Sequence, residues 1–351
     1  KMKIQQAIEA AIQQQDLDKD AMVEVMRTIM TGDATPAQIA GFLVALRMKG
    51  ETVDEIAAAA IVMRELATAV DVEGKHLVDI VGTGGDGAKL FNVSTASTFV
   101  AAAAGCQVAK HGNRSVSSSS GAADVLEAAG VRLDISAEQV AHCIEQVGVG
   151  FMFAQNHHGA MKHAIGPRKE LATRTLFNVL GPITNPAGVK NQLLGVYSAD
   201  LVRPIAEVLR QLGSHHVMVV HSSDGLDEIS LAADTLVAEL VQGEITEYRI
   251  SPTQVGIEPA TIDCLAIADA EASFDLIKSV LGQTKGAIST KQQAAADIIA
   301  LNAGAAIYVA GRADDWQQGV TMAQDIIAAG TAFEKMTELA DFTCLLKSTE
   351  Q

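Results

Sequence analysis

From residue 77 onward the sequence alternates short apolar runs with helical segments, and this alternation constrains the fold more than any other feature. The apolar runs are LVDIV (77–81), QVAK (107–110), VGFMF (149–153), LLGVYS (193–198) and HVMVVH (216–221). Strands that alternate with helices predict a mostly parallel sheet that is covered on both faces. Residues 235–250 predict a hairpin, and the last third of the chain returns to helices.

The first 70 residues follow a different pattern, because their apolar residues recur at helical spacing. Thr35 is a typical cap before one helix, and Thr52 with Glu55 forms a capping box before the next. The segment IAAAAIVM (56–63) is apolar nearly all round. A helix of this kind is expected to be covered on two sides, and we expect a partner subunit to cover one of them. The sequence therefore predicts a small N-terminal helical domain that forms a homodimer, followed by a larger α/β domain.

The composition argues against several classes of protein. The chain has 351 residues, of which 48% are hydrophobic, and its net charge is −16. This charge disfavours binding to nucleic acid or to an anionic membrane. No apolar run approaches the ~18 residues that a membrane span needs, and the first residues lack the apolar core of a signal peptide. Four cysteines without zinc spacing predict reduced, mostly buried thiols in a cytoplasmic protein; they are Cys106, Cys143, Cys264 and Cys344.

Two polar stretches rich in glycine and serine follow neighbouring predicted strands, namely GTGGDG (82–87) and KHGNRSVSSSSG (110–121). Glycines allow backbone N–H groups to approach a phosphate, and a helix N-terminus capped by Asn92 or Ser94 favours an anion. Residues 82–121 contain three basic residues and one acidic residue, in contrast to the acidic chain as a whole. Together these features predict a ligand with more than one anionic group, although each loop alone also fits a simple turn. The spacing matches neither a P-loop nor a dinucleotide fingerprint.

A pair of adjacent carboxylates, Asp227 and Glu228, lies in the segment SSDGLDE directly after the predicted strand HVMVVH. Paired carboxylates at a strand end suit Mg²⁺ that is held partly by substrate phosphates. The alternative interpretation is an Asp-Gly turn with two solvated charges. Beside a phosphate site the metal is favoured, because a helix N-terminus contributes only ~0.3–1 kcal/mol per anion.

The segment 153–188 combines three histidines with Lys162, Arg168 and Arg174. An arginine matches the geometry of a substrate carboxylate, so Arg168 is a candidate for that role. The alternative for Arg168 is a surface residue at a helix start. The histidines lack a cysteine or carboxylate partner at useful spacing, which disfavours zinc.

In order and spacing, these motifs resemble those of the anthranilate phosphoribosyltransferase family. The matching pieces are GTGGDG, NVST, KHGNRSVSS, SGAADVLEAAG, FNVLGPITNPAG and DGLDE, together with AQIAGFLVALRMKGET near the N-terminus. The resemblance implies a nucleoside phosphorylase/phosphoribosyltransferase-like fold, with a helical domain at 1–73 that is joined in space by about 160–185. Residues 74–159 and 186–351 would form the α/β domain. It also implies a homodimer, Mg²⁺, and transfer of the phosphoribosyl group of phosphoribosyl pyrophosphate to the amine of anthranilate in tryptophan biosynthesis.

The resemblance also implies three sets of site residues. Anthranilate would meet Gly82, Asn113 and Arg168. Metal would be held by Ser94, Asp227 and Glu228. No covalent nucleophile is implied. The phosphoribosyl donor would be held by residues of the two loops and of the helix start between them, namely Gly82, Gly85, Asp86, Leu90, Asn92, Val93, Ser94, Thr95, Lys110, His111, Gly112, Asn113, Arg114, Ser115, Val116, Ser117, Ser118 and Ala122.

Some positions depart from the family pattern, and two other functions stay open. Residues 88–90 are AKL where the family often has Ala-Asn-Thr, Ser119 stands where lysine is frequent, and Gln155 where proline is frequent. Leu90 cannot donate a hydroxyl hydrogen bond, which puts individual donor contacts in question. One alternative is a pyrimidine nucleoside phosphorylase, which shares this architecture. The other is a non-catalytic paralogue that works as a binding protein.

Overall fold

The computed structural model describes residues 1–115, 120–282 and 286–347. The N-terminal part consists of four helices, as the sequence predicts. Their caps are the predicted ones: Gln38 N donates to Thr35 Oγ1 at 3.2 Å, and Glu55 N donates to Thr52 Oγ1 at 3.1 Å. The helices are α1 (Ile4–Ile12), α2 (Lys19–Met30), α3 (Pro36–Lys49) and α4 (Val53–Leu66).

A seven-stranded sheet forms the centre of the larger domain, in the order β3-β2-β1-β4-β5-β6-β7. The first five strands are parallel, and β6 and β7 are the predicted antiparallel hairpin. The predicted mostly parallel sheet is therefore confirmed. The strands are β1 (Leu77–Gly82), β2 (Gln107–Gly112), β3 (Val149–Phe153), β4 (Asn191–Gly195), β5 (His216–Ser222), β6 (Thr235–Val241) and β7 (Glu244–Ile250).

Helices cover both faces of this sheet. Alternate strand residues enter two hydrophobic clusters: Leu193 and Met218 face one, and Leu194 and Val217 face the other. The second cluster also contains the apolar residues of α1 to α4, so the helical domain shares a core with one face of the sheet. The remaining helices are α5 (Val93–Ala103), α6 (Ala122–Ala128), α7 (Ala137–Val147), α8 (Ala154–His157), α9 (Lys162–Leu171), α10 (Phe177–Leu180), α11 (Val202–Gln211), α12 (Ala270–Leu281), α13 (Thr290–Val309), α14 (Trp316–Ala329) and α15 (Thr331–Leu345).

Helix α4 is covered by its own chain. Its apolar residues 56–60, 62 and 63 are buried between α2 on one side and α11 on another. Arg64 near its C-terminus donates to the carbonyl oxygen of Ile183 at 2.9 Å. The expectation that a partner subunit covers this helix is therefore wrong. The expectation fails because α11 begins more than 130 residues after α4, so no local sequence pattern reveals the contact between the two helices.

One further expectation changes in the structure. Cys106 and Cys143 are buried, but Cys264 and Cys344 are exposed, so the thiols are not mostly buried. Cys264 lies in a short 3₁₀ turn, and Cys344 lies on the outer side of α15. The exposure of these two positions could not be predicted from the sequence pattern. In the described part of the chain, no helix is long and apolar enough to cross a membrane.

Candidate active site

The edge of the sheet at the carboxyl ends of β1 and β4 is the natural ligand site of this topology. From β1 the chain continues to β2 on one side, whereas β4 leads to β5 on the other. In such sheets, ligands bind outside the carboxyl ends of the strands at the point where the strand order diverges. Gly82 and Gly195 end these two strands and are paired in register. The loop at 82–87, which we call the glycine loop, begins at this point.

Asp227 lies directly over these two strand ends. Its Oδ2 accepts a hydrogen bond from Gly84 N at 2.8 Å. A Cβ on Gly82 would come within 2.4 Å of Asp227 Oδ2, and one on Gly195 within 1.7 Å of the carbonyl oxygen of Asp227. Both strands therefore need glycine here, because the segment 222–230 packs against their backbone. This contact joins the carboxylate segment to the glycine loop across more than 140 residues of sequence.

Negative charge accumulates where these segments meet. Asp227 N donates to Asp86 Oδ2 at 3.2 Å. Because Glu228 directly follows Asp227, three carboxylates lie close together here. Burial and the neighbouring Asp86 raise the pKa of Asp227 to about 7. Burial, Asp227 and Asp86 also raise the pKa of Glu228 well above its usual range. Like charges in a desolvated place favour binding of a cation.

Lys110 is a cation of this region, and it is almost completely buried. Its Nζ donates to the carbonyl oxygen of Ile80 and lies 3.4 Å from Ser94 Oγ. Burial lowers the pKa of Lys110, and the carboxylates of Asp79, Glu228 and Asp227 oppose that shift. In space, the positive charge of Lys110 is therefore opposed by carboxylates from β1 and from the segment after β5.

The donor atoms present fit Mg²⁺, which prefers oxygen ligands. Among the described residues, however, no three carboxylate, histidine or cysteine side chains converge closely enough to hold a metal by themselves. Mg²⁺ commonly keeps several waters and takes oxygens from a bound phosphate, and a partial set of carboxylates suits that mode of binding. Ser94, Asp227 and Glu228 thus lie in one region, although the ligand would complete the coordination.

The N-terminus of α5 points toward the same region. Of the two predicted caps, Asn92 is the one used: its Oδ1 accepts from Thr95 N at 2.9 Å and from Ser94 Oγ at 3.1 Å. Val93 is buried. Thr95 is also buried, and its hydroxyl has no partner among the described residues. Helix N-termini favour anions, so the predicted donor residues 92–95 lie where a phosphate is stabilised.

Strand β2 extends two residues beyond the predicted strand end, through Gly112, so the second predicted loop begins at Asn113. A Cβ on Gly112 would lie 3.0 Å from Ala122 and from Phe151, so this glycine allows close packing. Asn113 is exposed. Ser115 N lies 3.4 Å from Asp124 Oδ2. The predicted donor residues Val116, Ser117 and Ser118, like Ser119, lie outside the described residues.

Arg114 is engaged by carboxylates of the next helix. Its Nη1 donates at 2.9 Å to Asp124 and at 2.9 Å to Glu127, and its guanidinium lies 5.3 Å from the centre of the Phe153 ring. The hydrogen bonds that Arg114 donates to Glu127 and Asp124 raise the pKa of Arg114 above its usual range. A donor phosphate would have to compete with these pairs, so the role of Arg114 in binding stays a prediction.

His111 lies beside a second buried histidine. The rings of His111 and His158 are 5.1 Å apart, and the Nε2 atoms of both lack a partner among the described residues. Burial, together with His158 and His157, lowers the pKa of His111 well below its usual range, and burial and His157 lower the pKa of His158 to about 4. Both rings are therefore neutral at physiological pH. Leu90, another predicted donor residue, forms an isolated bridge with Ala266.

Arg168 lies in the last turn of α9, not at a helix start. Its guanidinium carbon is 5.6 Å from the centre of the Phe177 ring, and burial lowers its pKa. No described hydrogen bond joins this guanidinium to the glycine loop or to Asn113. The structure therefore places Arg168 beside α10 without bringing it into contact with the other predicted site residues.

Three residues of this region were not assigned from the sequence. Arg174 contacts the glycine loop through the carbonyl oxygen of Gly85. Asp79 is completely buried in β1 and accepts from Asn185 Nδ2 at 2.8 Å; burial raises its pKa to about 6. Asn302 of α13 bonds the backbone of Ile229, next to Glu228. Arg174 was visible only as one basic residue among several, whereas Asp79 and Asn302 carry no sequence signal apart from a polar residue within an apolar run.

The chain matches two family models, one after the other along the sequence. Residues 5–67 match the helical bundle domain of a glycosyl transferase family, and residues 74–333 match its a/b domain. An anthranilate phosphoribosyltransferase of Cellvibrio japonicus is 61% identical over 346 residues, which cover 99% of this chain and 100% of that protein. One from Acinetobacter baumannii is 59% identical over 350 residues, covering 99% of each.

Solved structures agree with this relationship. Anthranilate phosphoribosyltransferase from Thermus thermophilus superposes with a TM-score of 0.89 at 42% identity, over 96% of this chain and 99% of that one. The enzyme from Saccharomyces cerevisiae in complex with PRPP and Mg superposes with a TM-score of 0.82 at 27% identity, over 93% of each chain. Near-complete coverage at about 60% identity leaves one family: the chain belongs to the anthranilate phosphoribosyltransferases.

Proposed function

We propose that this protein transfers the phosphoribosyl group of phosphoribosyl pyrophosphate to the amine of anthranilate and releases pyrophosphate. The contact between Gly84 N and Asp227 Oδ2 carries the proposal, because it brings a loop suited to phosphate and carboxylates suited to Mg²⁺ to one strand edge. The names of the relatives, and the complex of the yeast enzyme with PRPP and Mg, support this interpretation.

The donor would lie between the glycine loop and the N-terminus of α5. There the backbone of the loop, the start of the helix and the ammonium of Lys110 would face the anion, and Asp86, Asp227 and Glu228 would require a cation between themselves and a pyrophosphate. Bound Mg²⁺ would neutralise the leaving pyrophosphate. Ser94, Asp227 and Glu228 are the residues that we propose to hold it. The contribution of the protein is mainly positioning and electrostatic stabilisation.

The acceptor needs orientation more than activation. An aromatic amine attacks as the neutral base, so neither a covalent nucleophile nor a strong general base is required. We propose that Gly82, Asn113 and Arg168 bind anthranilate. Arg168 is half-buried beside Phe177, where a guanidinium can pair with a carboxylate that has partly left water.

The decisive experiment follows the loss of anthranilate fluorescence on incubation with phosphoribosyl pyrophosphate and Mg²⁺. Wild-type protein should consume anthranilate, and the double variant Asp227→Asn, Glu228→Gln should need far more Mg²⁺ and have a lower kcat. Superimposable Mg²⁺ curves would refute the metal assignment. Thymidine phosphorolysis with no use of anthranilate would instead identify a nucleoside phosphorylase, and no turnover of either substrate would favour a binding paralogue.

We also propose a homodimer through the helical domain, but through a different surface from α4. Apolar side chains of α1 and α3 line an exposed groove, with Ile12 59%, Val44 37% and Met48 79% exposed. Exposed apolar groups that lie together are typical of an interface. Helix α9 packs on α2 and α3, which supports assigning about 160–185 to the helical domain. The cytoplasmic location inferred from the cysteines stays a prediction.

A further inference from the structure

Arg174 connects the glycine loop to the segment between α9 and α10. Its guanidinium donates a hydrogen bond to the carbonyl oxygen of Gly85. The same group lies 3.9 Å from the centre of the Tyr197 ring, just beyond β4. A guanidinium donates within its plane and stacks through its face, so the two contacts are compatible. Tyr197 thus supports the side chain while its hydrogen bond reaches the loop.

Arg47 holds the backbone from which Arg174 projects. Its Nη1 donates to the carbonyl oxygen of Arg174 at 2.9 Å and also to the hydroxyl of Thr173. Arg47 belongs to α3 of the helical domain, whereas Gly85 follows β1 of the α/β domain. The two arginines therefore form a series of polar contacts that runs from the helical domain to the glycine loop.

The glycine loop needs such an external support. Gly84 and Gly85 have φ values of +67° and +74°, and both are exposed. Glycine lacks a side chain that would restrict its backbone, so a loop of this kind has many accessible conformations. A carbonyl oxygen that turns toward a phosphate repels it. Arg174 engages the carbonyl of Gly85 and adds positive charge beside Asp86.

We propose that Arg174 is a positioning residue for the phosphoribosyl donor. It fixes the glycine loop in the arrangement that receives the pyrophosphate, and Arg47 relays the position of the helical domain to it. The identity of the donor rests on the proposed function, but the effect on the loop of the ligand-free protein does not.

Steady-state kinetics of Arg174→Gln and Arg174→Lys test this role. Arg174→Gln should raise the KM for the donor about tenfold, while kcat and the KM for anthranilate change less than about twofold. Arg174→Lys should show a smaller rise in the donor KM, because lysine keeps the positive charge but lacks the planar set of guanidinium donors. Arg27→Gln is the matched control, since Arg27 is an exposed arginine of α2 whose one ion pair within the described residues is with Glu65, at 2.7 Å. An unchanged donor KM, or equal rises in both KM values, would overturn the proposal.

The relay through Arg47 has its own test. Arg47→Gln should raise the donor KM in the same direction but by a smaller factor. In the double variant Arg47→Gln, Arg174→Gln, the combined factor should be smaller than the product of the two single factors, because both residues act through one contact. Effects that simply multiply would show that Arg47 does not act through Arg174.

Hydrogen exchange of the ligand-free protein separates this proposal from the proposed function. The amides of 84–88 should exchange faster in Arg174→Gln than in wild type or Arg27→Gln. Unchanged exchange would overturn the role of Arg174 even if the enzyme is active. Faster exchange in a protein that does not use phosphoribosyl pyrophosphate would support the role in the loop and refute the assigned substrate.

Discussion

Asn302→Leu should disturb the proposed metal site from a distance. Asn302 lies in α13 and is completely buried. Its Oδ1 accepts from Ile229 N at 2.9 Å, and its Nδ2 donates to Ile229 O and to Ile298 O, each at 2.9 Å. Ile229 directly follows Glu228, so this side chain fixes the backbone that presents the second carboxylate. Leucine has a similar size but makes none of these hydrogen bonds.

The size of the effect follows from the groups that lose a partner. The N–H and C=O of Ile229 are buried, and each unsatisfied backbone group costs ~1–3 kcal/mol. The free energy of unfolding should therefore fall by about 2–6 kcal/mol, a large part of the ~5–15 kcal/mol typical of a domain. If displacement of Glu228 weakens Mg²⁺ binding by ~1–2 kcal/mol, half-maximal activity should require about 5- to 30-fold more Mg²⁺.

Denaturant unfolding and Mg²⁺ titration of activity measure the two effects separately. Ile307→Ala is the matched control, because Ile307 is completely buried in the same helix and its truncation costs about 2–5 kcal/mol. It should lower stability without changing the Mg²⁺ requirement. The reasoning fails if Asn302→Leu and Ile307→Ala give the same Mg²⁺ curve.

Three other substitutions give measurable outcomes. Arg168→Ala should lower kcat/KM for anthranilate about 10- to 100-fold, from a lost hydrogen bond of ~1.5–3 kcal/mol, and affect the donor far less; equal losses would indicate a structural role. His158 has its pKa lowered to about 4, so the folded protein binds fewer protons than the unfolded chain above that pH. Stability should thus fall by up to about 3 kcal/mol as the pH drops from ~6.5 toward 4, and less in His158→Gln; equal slopes in denaturant unfolding would contradict this. Met48→Glu should yield monomers in light scattering at micromolar concentration, whereas an intact dimer would exclude the groove of α1 and α3.

Features that depend on neighbouring residues were predicted well. Thr35 and Thr52 cap the helices that they were expected to cap, because capping is a contact between residues three positions apart. The parallel strands and the hairpin follow from apolar runs, turn residues and helical spacing. The glycine loop was recognised from its composition, and its place at a strand end follows from the preceding apolar run.

Features that depend on distant contacts were not predicted from the residues. The local sequence around α4 could not show that α11 covers it. The charge count of residues 82–121 leaves out Asp227 and Glu228; the sequence predicted them beside a phosphate site, but only the fold shows the hydrogen bond from Asp227 N to Asp86. The placement of Arg168 with anthranilate came from the family resemblance, and it stays a prediction.

The sequence by itself determined the order of helices and strands, the helix caps and the loops that are suited to phosphate, because each arises from interactions within a few residues. Tertiary structure alone decided the environment of those loops. Gly82 and Gly195 let the carboxylate segment approach, Arg174 contacts the glycine loop, and Asn302 holds the carboxylate segment. Electrostatic and hydrogen-bond energies depend on the distance between groups in space. The fold sets that distance, and separation along the chain does not reveal it.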